Sequence, residues 1–341
     1  MQRLFLTIFF AIGCAYTINA QVGSVTNEFD SLQKQAKEFY KQDKYAEALP
    51  IAKQAVENAE KTFGKESKQV IQSLYLLASI HLSLWDATKS EPLLKRAIKS
   101  SEKVPDLTKF DTVNILDKLG ECYEELDKES EAEKYYREAL EVREKKLSST
   151  HSDIALSYSN LARVLTRLSK YKEAEPFFKK AIEIKEKSHD NNQVDLAETL
   201  DGYACLLKRT ERKDEAFRTF DRVNELLYKN AVDKSAPLEI PFNTFSCRYM
   251  SSSPLKDAPR PVLGSGKVLL LVLTDEAGKV IQARAISGVA KMFSMAEQMA
   301  LRANFKPAII GGKPIKMMGK YSFRFETRTE IYSIGSGRLG Q

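Results

Sequence analysis

The chain has 341 residues, 43% of them hydrophobic and 29% charged, with a formal net charge of +7. That apolar content excludes an intrinsically disordered chain, and the length suits about two domains. From Leu255 onward there are 14 Lys and Arg against 6 Asp and Glu, a surplus of 8, so the preceding residues carry 7 − 8 = −1. The basic third has the charge to meet nucleic acid, anionic lipid or an acidic protein, and charge alone does not choose among them.

Residues 1–20, MQRLFLTIFFAIGCAYTINA, place Arg3 before an apolar run from Leu4 to Ala15, with small Ala20 before Gln21. This is the layout of a secretory signal peptide cleaved after Ala20. The run is shorter than the roughly 20 residues of a spanning helix. Two other fates stay open: retention as a membrane anchor, and lipidation of Cys14 within AIGC. After cleavage Cys122, Cys205 and Cys247 remain, and an odd number implies no disulfide scaffold. Cys122 and Cys205 stand among small apolar neighbours and read as core residues; Cys247 reads as a free thiol.

From residue 27 to 229 one pattern recurs. ALPIAKQAV from Ala48, SEPLLKRAI from Ser90, AEKYYREAL from Ala132, AEPFFKKAI from Ala174 and AFRTFDRVN from Ala216 begin 42 residues apart. Upstream, small residues recur at Ala36, Ala78, Gly120, Ala162 and Ala204. Each follows a large one four positions earlier: Leu32, Leu74, Leu116, Tyr158 and Leu200. Small side chains let two helices approach while large ones fill the gap, so each copy predicts a helical hairpin. Residues Ser152 to Lys187, with Leu161, Ala162, Tyr171, Ala174, Phe178 and Ala181, resemble the tetratricopeptide repeat in the 42-residue form of kinesin light chains. Ser90 departs from the usual Ala, and the fifth copy is worn at Val223, as expected of a last helix with no next repeat to cover it.

The resemblance implies an α-solenoid that binds proteins, with the first helix of each hairpin lining a groove. Its groove positions fall on Tyr75 and Ser79, on Asn114, Asp117, Glu121, Glu124 and Glu125, on Asn160, Arg163 and Arg167, and on Asp201, Lys208 and Arg209. The groove is thus expected to be acidic in its middle and basic toward its C-terminal end, suiting an extended peptide with both charges. An ordinary solvated helix face accounts for these charges equally well.

Helical periodicity stops near Asn230. Residues 230–254, rich in Pro and Ser, read as a partly ordered linker. Lys267 to Thr274 and Lys279 to Ser287 are strand-like runs about a turn at Asp275 to Gly278. Met292 to Ala303 has helical spacing, and Tyr321, Phe323 and Phe325 alternate with Ser322, Arg324 and Glu326. A small α+β domain over 255–328, in the order strand, strand, helix, strand, is expected, followed by a flexible tail over 329–341. Gly278, Phe305, Pro307, Ala308, Gly312 and Phe325 resemble the C-terminal domain of the TonB family. The resemblance implies that the last strand, Gly319 to Thr327, presents an open edge to which a transporter segment adds, with Lys320, Ser322 and Arg324 facing away from the core. Charges at such an edge also serve simply to prevent aggregation. The membrane anchor and Pro-rich spacer of family energy transducers are replaced here by a removable signal and a helical array.

His81, His151 and His189 lie in different repeats without metal-ligand spacing, and Gly264-Ser-Gly lacks the Lys of a phosphate loop. No enzyme, cofactor or metal is expected. The His151-Ser-Asp153 run, with Asp153 beginning a helix, reads as a cap. The expected protein is a periplasmic adaptor. Its partners are periplasmic or outer-membrane protein peptides, TonB-dependent transporters among them, and no nucleic acid. Membrane attachment requires an uncleaved signal or a lipidated Cys14. An energy-transducing component for outer-membrane transport and a binder of peptidoglycan or another anionic envelope polymer are the alternatives.

Overall fold

The structure, a computed structural model, describes residues 28–105, 107–108, 112–188, 193–230, 238–240, 266–288, 290–305, 307–310, 312–325 and 331–333. The signal segment with Cys14, the first residues of the array, most of the linker with Cys247, and Gly264 lie outside them. The chain divides into two compact units at Tyr135–Tyr136. The first holds helices α1 (28–41), α2 (Tyr45–Phe63), α3 (Lys68–Ser83), α4 (Ala87–Ser101), α5 (Val113–Glu125) and the start of α6 (Glu129–Glu144). The second holds the rest of α6, then α7 (Ser152–Arg167), α8 (Tyr171–Lys187), α9 (Gln193–Arg209), α10 (Lys213–Asn230) and a small sheet domain.

Every hairpin turns at the same place in its repeat. Asp43, Trp85, Asp127, Ser169 and Glu211, 42 residues apart, all take positive φ between 53° and 62°. The next residue in each case donates its N–H to a carbonyl five residues back: Lys44 to Phe39, Asp86 to His81, Lys128 to Tyr123, Lys170 to Leu165 and Arg212 to Leu207, at 2.8–2.9 Å. This is a Schellman ending, a position where glycine is usual. None of the five is glycine, and each left-handed residue costs about 1–2 kcal/mol that hairpin packing must offset.

That packing is tight. Ala36, Ala78, Ala162 and Ala204 have no exposed surface, and neither do Ala48, Ser90, Ala132, Ala174 and Ala216 across from them. Ser90, the departure from Ala, donates its hydroxyl to the Ala78 carbonyl at 3.0 Å, so its buried polar atom is satisfied. Leu94, Tyr136, Phe178 and Phe220, spaced by the period, are buried, as is Val223. Successive repeats are also tied by ion pairs 36–37 residues apart: Arg96 to Glu60 at 2.5 Å, Arg212 to Glu175 at 2.9 Å and Arg222 to Glu186 at 2.6 Å. At the start of α7 the run caps the helix through His151, whose Nδ1 accepts from the Asp153 N–H at 3.1 Å, with Asp153 in the first turn.

In the small domain β2 (Gly266–Thr274) pairs antiparallel with β3 (Val280–Gly288) on one side and with β6 (Met317–Phe325) on the other. A 3-10 turn (Ala290–Met292) leads into α11 (Phe293–Ala300), shorter than the expected helix to Ala303. β4 (Ala308–Ile310) and β5 (Lys313–Ile315) form a separate ribbon. Two further strands lie where none was expected. β1 (Leu238–Ile240) stands within the linker and β7 (Ile331–Ser333) within the supposedly flexible tail.

Val268, Leu270 and Val272 of β2, Met317, Tyr321 and Phe323 of β6, and Ala296, Met299 and Ala300 of α11 form the domain's core. That core continues into Leu196, Ala197 and Leu200 of α9 and Val223 and Leu227 of α10. α10 packs against β1 and β4. The expected bare end of the array is therefore covered, by the sheet domain in place of another repeat.

Candidate binding surfaces

In the first unit Tyr75 is half-buried on α3, and Asn114 is exposed on α5 with Asp117 and Glu121 half-buried beside it. Ser79 is buried with its hydroxyl on the Tyr75 carbonyl at 2.8 Å, and Glu124 is buried. The centre of this surface is a residue that the groove pattern omits. The Lys118 Nζ lies 2.5 Å from Glu121, with its side chain 23% exposed. Burial opposes the Lys118 charge, but Glu121 and the phenols of Tyr40 and Tyr75 hold its pKa above the ordinary lysine range. Burial pushes the Tyr75 phenol up against the opposing field of Lys118. The i,i+3 spacing of Lys118 and Glu121 on one helix was the available signal. The described part of this surface thus offers two tyrosines around a compensated ammonium, and it is less acidic than the residue types suggest.

In the second unit Asn160, Arg163 and Arg167 are half-exposed on α7, and Lys208 and Arg209 half-exposed on α9. Arg163 lies 3.6 Å from Glu198 and donates to the Tyr136 hydroxyl at 3.4 Å. Asp201 does not share this surface: it has no exposed area, because it stands one residue from Leu200 on the face where α9 packs. Nearby, Lys185, 6% exposed, binds Asp195 at 2.7 Å and Thr199 at 2.8 Å, and Thr199 meets Ser159 at 3.1 Å. These partners of Lys185 are all supplied by the fold, which makes this network structural.

The last strand is not an open edge. β1 pairs with β6 in parallel at Met317–Gly319, and β7 pairs with it antiparallel at Phe323–Phe325, both on the side away from β2. Lys320–Ser322 lie between these two pairings. The β6 span also starts two residues before the expected Gly319. Lys320 and Ser322 stand on the opposite face from buried Tyr321 and Phe323, and the Arg324 backbone pairs opposite Lys267. A three-residue ladder gains about 0.5–1.5 kcal/mol per hydrogen bond. Ordering its backbone costs about 1–2 kcal/mol per residue, so β7 is held marginally.

The opposite edge, β3, is blunted. Ile281 and Ile286 are bulged out of the ladder with β2 and are 47% and 44% exposed. The Phe305 N–H donates to the Gly278 carbonyl at 2.8 Å, and the Glu297 carboxylate accepts from the Ala285 N–H at 2.7 Å. Bulges and a capping side chain are ways to keep a sheet edge from pairing with another chain.

Cys122 is a buried free thiol whose pKa burial pushes up to about 12. Cys205 is disulfide-bonded, so it is not the plain core cysteine that its helical setting predicts.

Residues 78–145 and 153–228 match the family model of the tetratricopeptide repeat. Among solved structures, the kinesin light chain nearly identical TPR-like repeats of Podosopora anserina are 17% identical with a TM-score of 0.50, covering 60% of this chain and 97% of that one. A point variant of the same repeats is 18% identical at the same TM-score, covering 59% and 94%. BtubC of P. vanneervenii is 18% identical with a TM-score of 0.48, covering 61% and 90%. For the Podosopora anserina repeats, at these identities, the likeness is one of fold. No curated protein sequence matches the chain. The helical array is built of tetratricopeptide repeats, and the family match ends at residue 228, before the sheet domain begins.

Proposed function

We propose that this tetratricopeptide-repeat chain is a non-enzymatic adaptor of the bacterial periplasm. In this reading the repeat helices hold an extended segment of one protein, and the sheet domain, of TonB C-terminal type, docks a strand of another on β6. The observation that carries it is the repeat array itself, whose first helices present Arg163, Arg167, Lys208 and Arg209 half-exposed in one unit and Tyr75 with Lys118 in the other. Such rows suit side chains of an extended peptide. An exported location is supported by the signal-like residues 1–20 and by the disulfide at Cys205, since disulfides persist in oxidising compartments. Periplasmic and outer-membrane proteins, TonB-dependent transporters included, are the proposed partners.

The test combines fractionation with affinity capture by the full mature chain. The native N-terminus is expected at Gln21, in the periplasmic fraction. Capture is expected to retain a defined protein, and Arg163→Glu with Arg167→Glu to reduce its retention about tenfold, consistent with loss of charge-assisted contacts. Equal retention by the double variant rules out the α7 surface, and an intact N-terminus in the cytoplasm rules out the location.

A further inference from the structure

α8 and α10, the second helices of the last two hairpins, flank a groove of about 430 Å³ floored by Leu200 and Tyr203 of α9. Its size is in the range of small-molecule sites. Thr219 and Arg222 stand on the α10 wall, with Lys179 and Glu186 on the α8 wall. The 42-residue period gives the key positions counterparts one repeat earlier: Leu200 corresponds to Tyr158, Thr219 to Phe177, Arg222 to Lys180 and Glu186 to Glu144. There the Tyr158 ring stacks on Phe177 with centroids 5.6 Å apart, and the Lys180 ammonium lies 5.3 Å from the ring centroid. The Tyr158 hydroxyl donates to Glu144 at 3.0 Å. With Leu200 and Thr219 at the two aromatic positions, the last groove keeps the acid and the cation of that arrangement and has room for a ring.

We propose that this groove binds a small para-hydroxyphenyl carboxylic acid. The ring rests on Leu200 against Arg222, as the Tyr158 ring lies against Lys180, because a cation is attracted to an aromatic face. The phenol hydroxyl donates to Glu186, which Arg222 holds in place at 2.6 Å. The carboxylate falls to Arg218, one turn before Arg222 on α10. Among the described residues the Arg218 guanidinium makes no hydrogen bond or ion pair, and it acts on Glu215 only through its field. Its counterpart one repeat earlier is Pro176, so the array itself does not call for this charge. The ion pairs Arg212 to Glu175 and Arg222 to Glu186 show that α8 and α10 run in the same direction, which sets Arg218 toward the Lys179 end of the groove. Lys179 and Glu186 are seven residues, or about 10 Å, apart along α8. A phenol joined to its carboxylate through one or two carbons has about that reach. None of these residues is among those proposed above to hold an extended segment, so the two readings stand or fall separately.

The test is a titration of the full chain with para-hydroxyphenylpropionate, followed by ligand-observed NMR. Phenylpropionate, which has no hydroxyl, and tyramine, whose amine replaces the carboxylate, are expected to bind about tenfold more weakly. Arg218→Glu, at an exposed site, is expected to weaken binding about tenfold, and Leu200→Tyr, which restores the phenol of the preceding repeat, to abolish it. No binding at about millimolar ligand, or equal binding by Arg218→Glu, overturns the proposal. Undiminished binding by a folded Leu200→Tyr chain places the ligand elsewhere and overturns it too. Equal binding of N-acetyltyrosinamide, which carries the phenol without the carboxylate, overturns it in favour of a tyrosine side chain from a partner protein. If Leu200→Tyr fails to fold, Arg218→Glu and the comparison of ligands decide.

Discussion

At Gly278 the backbone turns with φ +83°, and a Cβ there would stand 1.9 Å from the Phe305 carbonyl oxygen. The turn is fixed by Asp275, whose Oδ1 accepts from the N–H groups of Ala277 at 3.0 Å and Lys279 at 2.9 Å. Gly278→Ala therefore meets both a left-handed strain and a backbone clash. It is expected to destabilise the sheet domain by about 2 kcal/mol or more, read from denaturant unfolding followed by the sheet's signal. Gly278 and Phe305 were legible in the sequence as members of one pattern, but not as a contact, because the pattern holds no distances. Lys118 was missed for a related reason: a groove pattern selects positions, whereas its setting depends on Tyr40 and Tyr75 from two other helices. The disulfide of Cys205 was hidden because a cysteine among apolar helix residues reads the same whether oxidised or not.

Helices were the most legible elements, since a 42-residue period fixes hairpin, turn and buried face together. The ion pairs between neighbouring repeats add a pH dependence to that scaffold. Glu175 accepts from Arg212 at 2.9 Å and from Tyr203 at 3.2 Å, with Lys179 at 2.9 Å. Hydrogen bonding to Arg212, opposed by partial burial and aided by Lys179, holds its pKa down to about 2. A carboxylate depressed on folding contributes stability that is present above its unfolded pKa and lost as pH falls through the folded one. The stability gap between the wild type and Glu175→Gln is expected to be full above about pH 5 and to close between about pH 4.5 and 2, measured by chemical denaturation across that range. A constant gap across the window would mean that the ion pairs are screened to insignificance. The short strands were less legible than the helices: β1 and β7 are three residues each, too short for alternation to declare itself, and only their pairing with β6 defines them.

For the whole molecule, composition and periodicity pointed to a helical array followed by a sheet domain, with a Pro-rich linker between them, and they did not show that the two share a core. Leu196, Leu200, Val223 and Leu227 pack into the same apolar cluster as Val268, Tyr321 and Phe323. Leu227→Asp, which puts a charge at a site 8% exposed, is expected to destabilise the second unit by about 3 kcal/mol. In hydrogen exchange, protection is expected to fall together in α9, α10, β2 and β6, whereas loss confined to α10 would separate the two. Residues of α9 and α10 are thus the foundation on which the sheet stands. A genetic exchange that grafted the sheet alone onto a foreign array would leave its apolar underside without a match, so the heritable module is the last hairpin and the sheet together.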